Sequence, residues 1–167
     1  IFVGDTSVHE YPSSEQMAEI AISAARVVRL FGFDPKVAFV SHSTFGQPLT
    51  NRTKHIKNAV EILREKNVDF EFDGDMQPDV ALNEEYKNLY PFSKIVGNAN
   101  ILIMPGQHSA AISYKMMKTL GDTKVIGPLL IGLGLPIEIA PLRSSTSEIL
   151  NLASIAAYSA DVIDYKK

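Results

Sequence analysis

Two short apolar runs, at residues 37–40 and 101–104, constrain the fold of this chain most strongly. Neither run shows the alternation of apolar and polar residues that is typical of a half-exposed strand. Uninterrupted apolar strands are typical of a parallel sheet that helices cover on both faces. Because segments with helical spacing separate the runs, the sequence predicts a three-layer α/β/α fold with a mainly parallel sheet.

The apolar pattern and its breakers place the individual elements. The predicted strands cover residues 1–3, 36–40, 70–72 and 100–104. The predicted helices lie at about residues 13–30, 79–89, 109–120 and 146–164, and another follows the loop at 41–51 with Ile56, Ala59, Val60 and Leu63 on its buried face. Ser13 and Gln16 have the spacing of a capping box at the start of the first helix. The inward side of the last helix is predicted to carry Ile149, Leu152, Ala153 and Ala156.

Composition excludes several classes of protein. The formal charge of −3 over 167 residues provides no cationic field for nucleic acid, so we expect no nucleic-acid partner. No apolar run reaches the roughly 20 residues that span a membrane, so we expect no membrane segment. The absence of cysteine excludes disulfides and thiolate metal sites and fits a cytoplasmic chain. Since the chain starts at Ile1 inside a predicted strand, we expect it to be part of a longer protein.

Three predicted loops follow strands directly, at residues 41–51, 73–79 and 105–111. In parallel sheets, ligands bind outside the carboxyl ends of the strands. The first loop combines hydroxyls, an imidazole and a glycine, which suit a phosphate or a carbonyl, although ordinary loop capping explains them as well. In the second loop, Asp73, Asp75 and Asp79 provide oxygen ligands for a cation, but an Asp-Gly turn followed by an Asp N-cap is the favoured interpretation.

Other candidate motifs are weak. The four histidines lie far apart in the sequence, and none of them forms the i, i+4 pair of a helical zinc site, so we expect no metal centre. The glycine-rich stretch at residues 127–134 lacks the pattern of a nucleotide-binding loop. Arg52, next to the first loop, is a candidate for contact with a phosphate.

A set of segments in fixed order resembles the phosphate acetyl/butyryl transferase family, specifically the C-terminal half of its domain. The residues of the Ser-His-Ser and Asp-Gly-Asp-Met segments most resemble those of the phosphotransacetylase-like domain of bacterial NADP-dependent malic enzymes. The segments are Asp5-Thr6, the stretch 41–46, the stretch 73–79, the stretch 97–105, the stretch 112–115 and the stretch 127–132.

This resemblance implies a phosphotransacetylase-like fold over residues 1–167, a homodimer formed through this half, and a coenzyme A cleft shared with an upstream half of the same domain. It also implies that the final helix packs on that upstream half. The implied cleft residues are Ser41, His42, Ser43, Thr44, Gly46, Arg52, His108, Ser109, Gly127, Pro128 and Arg143.

Active transferases of this family carry a Ser-Arg pair and, seven residues after the serine, an acidic residue. Here those positions correspond to Pro141, Leu142 and Glu148, so we expect no catalytic residue at this site. Pro141 has no hydroxyl and Leu142 has no charge with which to hold a phosphoryl group.

Three functions remain open. The first is a regulatory and oligomerising domain of an NADP-dependent malic enzyme that senses acetyl-CoA without transferase activity. The resemblance then implies that another domain oxidises malate to pyruvate and CO2 with NADP and Mg²⁺ or Mn²⁺. It also implies that residues 1–167 hold no cofactor. The second is an active phosphate acetyltransferase with altered residues, such as Arg143 and His108. The third is a dimerisation module without a ligand.

Overall fold

The computed structural model describes residues 1–121 and 123–162. Four strands alternate with helices along the chain. In order, the elements are β1 (Phe2–Gly4), α1 (Ser14–Leu30), β2 (Lys36–Val40), α2 (Asn51–Glu65), β3 (Glu71–Met76), α3 (Pro78–Leu82), α4 (Glu84–Lys87), β4 (Ile101–Ile103), α5 (Gln107–Leu120) and α6 (Thr146–Val162). The residues group into two compact units, 1–114 and a second that begins at Lys115.

The first unit contains the sheet. Its strand order is β1-β4-β2-β3, and every pairing is parallel. The carboxyl ends of all four strands therefore lie at the same end of the sheet, which we call the carboxyl end. This arrangement confirms the predicted α/β fold with a parallel sheet.

Apolar side chains fill both faces of the sheet. On one face α1 and α2 pack against the strands through a buried cluster that includes Met17, Val28 and Leu63. On the other face Met76, Val80 and Ile95 pack with Leu102 and with Ala110 of α5. Burial on both faces explains why β2 and β4 are uninterrupted apolar runs.

The ends of α1 follow the predicted chemistry. Ser13 accepts a hydrogen bond from the backbone N–H of Gln16, while the Gln16 side chain accepts one from the backbone N–H of Ser13. The capping box is therefore confirmed. After α1, Gly32 adopts a φ of +80°, a conformation that favours glycine.

The predicted Asp-Gly turn after β3 is wrong. The strand continues through residues 73–76, and its register with β2 shifts between Phe39, which pairs with Gly74, and Val40, which pairs with Met76. Asp75 is thus the extra residue of a bulge, so that Asp73 and Asp75 both become buried. A composition typical of turns is here used for an irregularity inside a strand.

The predicted helix at residues 79–89 is also corrected. It is two short helices, α3 and α4, separated by Asn83, whose extended backbone breaks the helix and whose side chain accepts from the N–H of Glu85. Asp79 does not cap α3; the N-cap is Gln77, and Pro78 occupies the first turn. Proline is favoured there because its missing N–H has no partner within a helix.

Side chains of β3 fasten the segment that precedes β4. The backbone N–H of Lys94 donates to Asp73 at 2.7 Å, and the backbone N–H of Val96 donates to Glu71 at 2.7 Å. The segment 94–96 therefore runs in the opposite direction to β3 and is held by carboxylate side chains, while Ile95 is buried in the second apolar cluster.

The second unit contains α6, which begins at Thr146 as predicted. Of the four side chains predicted to face inward, only Leu152 is buried; Ile149 is 50% exposed, and Ala153 is also exposed. Residues 163 and 164, the end of the predicted helix, lie outside the described residues. Residues 123–145 form neither helix nor strand. Among the described residues, no helix has the length and apolar character needed to cross a membrane.

Candidate functional site

The loop after β2 is fastened to β3 by its hydroxyl groups. Ser43 is fully buried and donates a hydrogen bond to Asp75, and Ser41 Oγ lies 3.1 Å from Ser43 Oγ. The other Asp75 oxygen accepts from the backbone N–H of Gly46 at 2.9 Å. Because a buried carboxylate needs such donors, Ser41, Ser43 and Gly46 serve the loop itself.

Thr44 has the same structural role. Its hydroxyl oxygen accepts from the backbone N–H of Gln77 at 3.2 Å, and its side chain is buried. By contrast, His42 and Arg52 are exposed, and their side chains make no hydrogen bond within the described residues. Of the predicted cleft residues in this loop region, these two are the ones available to a ligand.

Two more predicted residues follow the neighbouring strand β4 at the carboxyl end of the sheet. Ser109 donates its hydroxyl to the carbonyl of Gly106 at 2.9 Å, whereas His108 is exposed. A Cβ at Gly106 would lie 2.8 Å from the carbonyl oxygen of Glu10, so only glycine allows the loop after β1 to pack here. The loops after β1, β4 and β2 therefore lie side by side.

Sequence reasoning missed an Asp-His pair in the loop after β1. Asp5 accepts hydrogen bonds from the backbone N–H groups of Ser7, Val8 and His9, and also from Nδ1 of His9 at 2.8 Å. Burial of the Asp5 carboxyl opposes its ionisation, but these hydrogen bonds together outweigh burial and hold its pKa below the ordinary value. With Nδ1 donating to Asp5, the neutral His9 ring has Nε2 as its acceptor atom. The signal in the sequence was an Asp directly after a strand with a His four residues later.

This pair makes stability depend on pH. The pKa of Asp5 is lowered on folding, so ionised Asp5 adds to the free energy of unfolding. This contribution is fully present above the ordinary carboxyl pKa and is lost as the pH falls through the folded-state pKa. We expect Asp5→Asn to lower the free energy of unfolding by about 1 kcal/mol at pH 7. In urea titrations the difference from the wild type should shrink towards zero in strong acid. A difference that is independent of pH would contradict this account.

A cavity of about 370 Å³ lies beside the outer edge of β3, within the first unit. The loop after β2 contributes Phe45 and Leu49, α2 contributes Lys57, and the segment before β4 contributes Phe92 and Lys94. We call it the edge cavity. Sequence reasoning missed it because its lining combines residues 45–64, 73–75 and 92–94, three segments that only the fold brings together.

The positions that the resemblance predicts for a catalytic Ser-Arg pair lie in the second unit. Pro141 and Leu142 are exposed, and the N–H of Ser144 donates to the carbonyl of Pro141 at 2.9 Å in a turn. The remaining predicted cleft residues of this unit are Gly127 and Pro128, which are partly exposed, and Arg143, which is exposed.

Glu148 is occupied by structural contacts. It accepts from Lys118 Nζ at 2.8 Å and from both the N–H and the hydroxyl of Ser145, and its own N–H donates back to Ser145 Oγ at 3.2 Å. Hydrogen bonding to Lys118, followed by that to Ser145, lowers the pKa of Glu148 to about 2. So acidic a carboxyl group is a poor general base near neutral pH. Ser145 and Glu148 therefore form a capping box at the start of α6, with Ser145 at the N-cap and Glu148 three residues later.

Across residues 1–121 and 123–162, no group of three or more His, Cys, Asp or Glu side chains is placed to hold a metal ion. The Asp73 and Asp75 carboxylates are directed to protein donors, as described above.

Comparison with known proteins decides the family. Residues 1–157 match the sequence profile described as phosphate acetyl/butaryl transferase. This chain belongs to that family. The resemblance noted in the sequence is thereby confirmed.

Relatives within the family fall into two groups. The chain is 48% identical over 160 residues to an NADP-dependent malic enzyme of Rhizobium meliloti, covering 96% of this chain and 21% of that protein. It is 35% identical over 162 residues to a phosphate acetyltransferase of Clostridium acetobutylicum, covering 96% of this chain and 49% of that protein. The chain thus spans about a fifth of the malic enzyme and half of the acetyltransferase.

A solved structure supports the fold. A phosphotransacetylase from Streptococcus pyogenes superposes with a TM-score of 0.90 at 34% identity, covering 95% of this chain and 49% of that protein. The family assignment and the parallel sheet therefore agree.

Proposed function

We propose that this chain is the phosphotransacetylase-like part of an NADP-dependent malic enzyme, where it regulates activity by sensing acetyl-CoA and promotes oligomerisation. The observation that carries the proposal is a malic enzyme relative at 48% identity, and it is supported by Pro141 and Leu142 at the positions that the resemblance assigns to the catalytic Ser-Arg pair. In the proposed assembly, another domain oxidises malate to pyruvate and CO2 with NADP and a divalent cation, in the cytoplasm.

The chemistry of the second unit supports binding without transfer. Acetyl transfer from coenzyme A to phosphate requires a base for the thiol and a donor for the phosphoryl oxygens. Pro141 and Leu142 provide neither, and the Glu148 carboxylate is held by Ser145 and Lys118. Arg143 is the remaining cation next to these positions, and it would hold a phosphate of the ligand.

Regulation requires that acetyl-CoA bind two states of the whole enzyme with different affinities. Oligomerisation would provide such states, because the relative positions of subunits can change when a ligand binds. Exposed apolar side chains in the second unit, among them Leu142 and Leu150, suit a surface that another chain or another segment covers.

Calorimetric titration of the intact protein with acetyl-CoA tests this proposal. We expect saturable binding and lower malate oxidation, with no acetyl phosphate formed when phosphate is added. Arg143→Gln should weaken binding by about fivefold, because it removes one partly solvated charge pair. Arg26→Gln, which changes an exposed arginine of α1, should leave the affinity unchanged.

The other outcomes select the alternatives. Acetyl phosphate formation by the purified protein would identify an active acetyltransferase with altered residues. Absence of acetyl-CoA binding, together with an unchanged melting temperature and a stable dimer, would leave a dimerisation module without a ligand.

A further inference from the structure

The edge cavity has the apolar walls of a small-molecule site. Phe45 and Phe92 meet edge to face, with ring centroids 4.8 Å apart. Phe92 remains 58% exposed and Leu49 61% exposed at the mouth. Exposed aromatic and aliphatic surface in a concave site is available to the apolar part of a ligand.

Charges around the edge cavity are spatially separated. Three cationic and three carboxylate side chains line it, so their formal charges cancel. The Asp73 and Asp75 carboxylates are buried in the floor, where they accept hydrogen bonds from protein groups. The third, Glu61, pairs with Arg64 at 2.5 Å.

Two ammonium groups are left without a partner. The side chains of Lys57 and Lys94 are exposed and make no ion pair or hydrogen bond with any described residue. Lys57 belongs to α2 and Lys94 to the segment before β4, and both line the cavity. An anionic group at the mouth would therefore meet two cations without displacing an existing contact.

We propose that the edge cavity binds a small organic anion, a carboxylate or phosphomonoester attached to an aromatic or branched apolar body. The apolar body lies against Phe45 and Phe92, and the anion lies between Lys57 and Lys94. A volume of about 370 Å³ is near the lower limit for ligand pockets and is too small to enclose coenzyme A. Gly46, one of the implied cleft residues, also lines the edge cavity, so the two proposed sites are neighbours. We propose that they bind different ligands, and binding at the edge cavity does not depend on acetyl-CoA.

Phenyl phosphate serves as the probe, titrated calorimetrically into the intact protein. Lys57→Gln and Lys94→Gln should each raise the Kd by about fivefold, as expected for loss of one solvent-exposed charge pair. Lys54→Gln is the matched control, because Lys54 is also exposed on α2 but does not line the cavity. Inorganic phosphate, which lacks the apolar body, should bind about tenfold more weakly than phenyl phosphate.

Three results would overturn the proposal. One is a Kd for phenyl phosphate that neither cavity variant changes. Another is an equal loss of affinity in Lys54→Gln, which would indicate binding to the general surface charge. The third is displacement of phenyl phosphate by acetyl-CoA in competition with it, since this would place both ligands in one site. Exposed Lys→Gln changes leave the core intact, so unchanged melting temperatures serve as the check on folding.

Discussion

Replacing Gly74 with alanine should produce the largest loss of stability of any Gly→Ala change in this protein. A Cβ at Gly74 would lie 2.7 Å from the Phe39 Cβ and 2.8 Å from the Phe39 carbonyl oxygen. These neighbours belong to the central strand β2, which cannot move without disturbing both faces of the sheet. With a φ of +153°, the backbone at Gly74 is also unfavourable for an L-residue. We expect Gly74→Ala to lower the free energy of unfolding by about 3 kcal/mol or more, measured by urea denaturation.

Gly134→Ala is the control for this substitution. A Cβ at Gly134 meets no atom within 4 Å, so the change should stay within about 0.5 kcal/mol. Equal effects of the two substitutions would show that crowding against Phe39 does not determine the glycine at position 74.

The second large effect is expected for Asp75→Ala. The variant leaves the N–H of Gly46 and the buried Ser43 hydroxyl without their acceptor, and each unsatisfied buried donor costs about 1 to 3 kcal/mol. We expect a total loss of about 3 kcal/mol in the free energy of unfolding. The loop after β2 should also loosen, which amide hydrogen exchange at Gly46 would detect.

Asp34→Ala tests whether loss of any aspartate has this effect. Its side chain is exposed and makes no hydrogen bond or ion pair with a described residue, so a change within about 0.5 kcal/mol is expected. If Gly46 exchanged at the wild-type rate in Asp75→Ala, then Asp75 would not be the group that holds the loop.

The sequence was informative wherever local chemistry determines structure. Uninterrupted apolar runs located β2 and β4, and the Ser13–Gln16 spacing identified the cap of α1, because each signal lies within a few consecutive residues. The Asp73-Gly74-Asp75 segment was misread, since nothing local distinguishes a tight turn from a strand bulge that needs glycine beside Phe39.

The same limit applies to the candidate site. The hydroxyl groups at residues 41–44 suit a ligand in composition. However, Ser43 is buried and donates its hydroxyl to Asp75, a contact that follows only from the pairing of β2 with β3. The cavity between Lys57 and Lys94 depends on three segments that are distant in sequence. Burial and long-range neighbours are therefore the information that a single sequence lacks here.

The side-chain pairing along β3 has a consequence for behaviour at high concentration. An unprotected outer strand presents a row of backbone donors and acceptors to which another molecule can add a strand, a common start of aggregation. Here β3 carries a bulge at Asp75, and its Asp73 and Glu71 side chains fasten the segment 94–96 to it. Because bulged strands with charged side chains are poor templates for pairing, we expect this strand to resist the addition of a strand from another molecule.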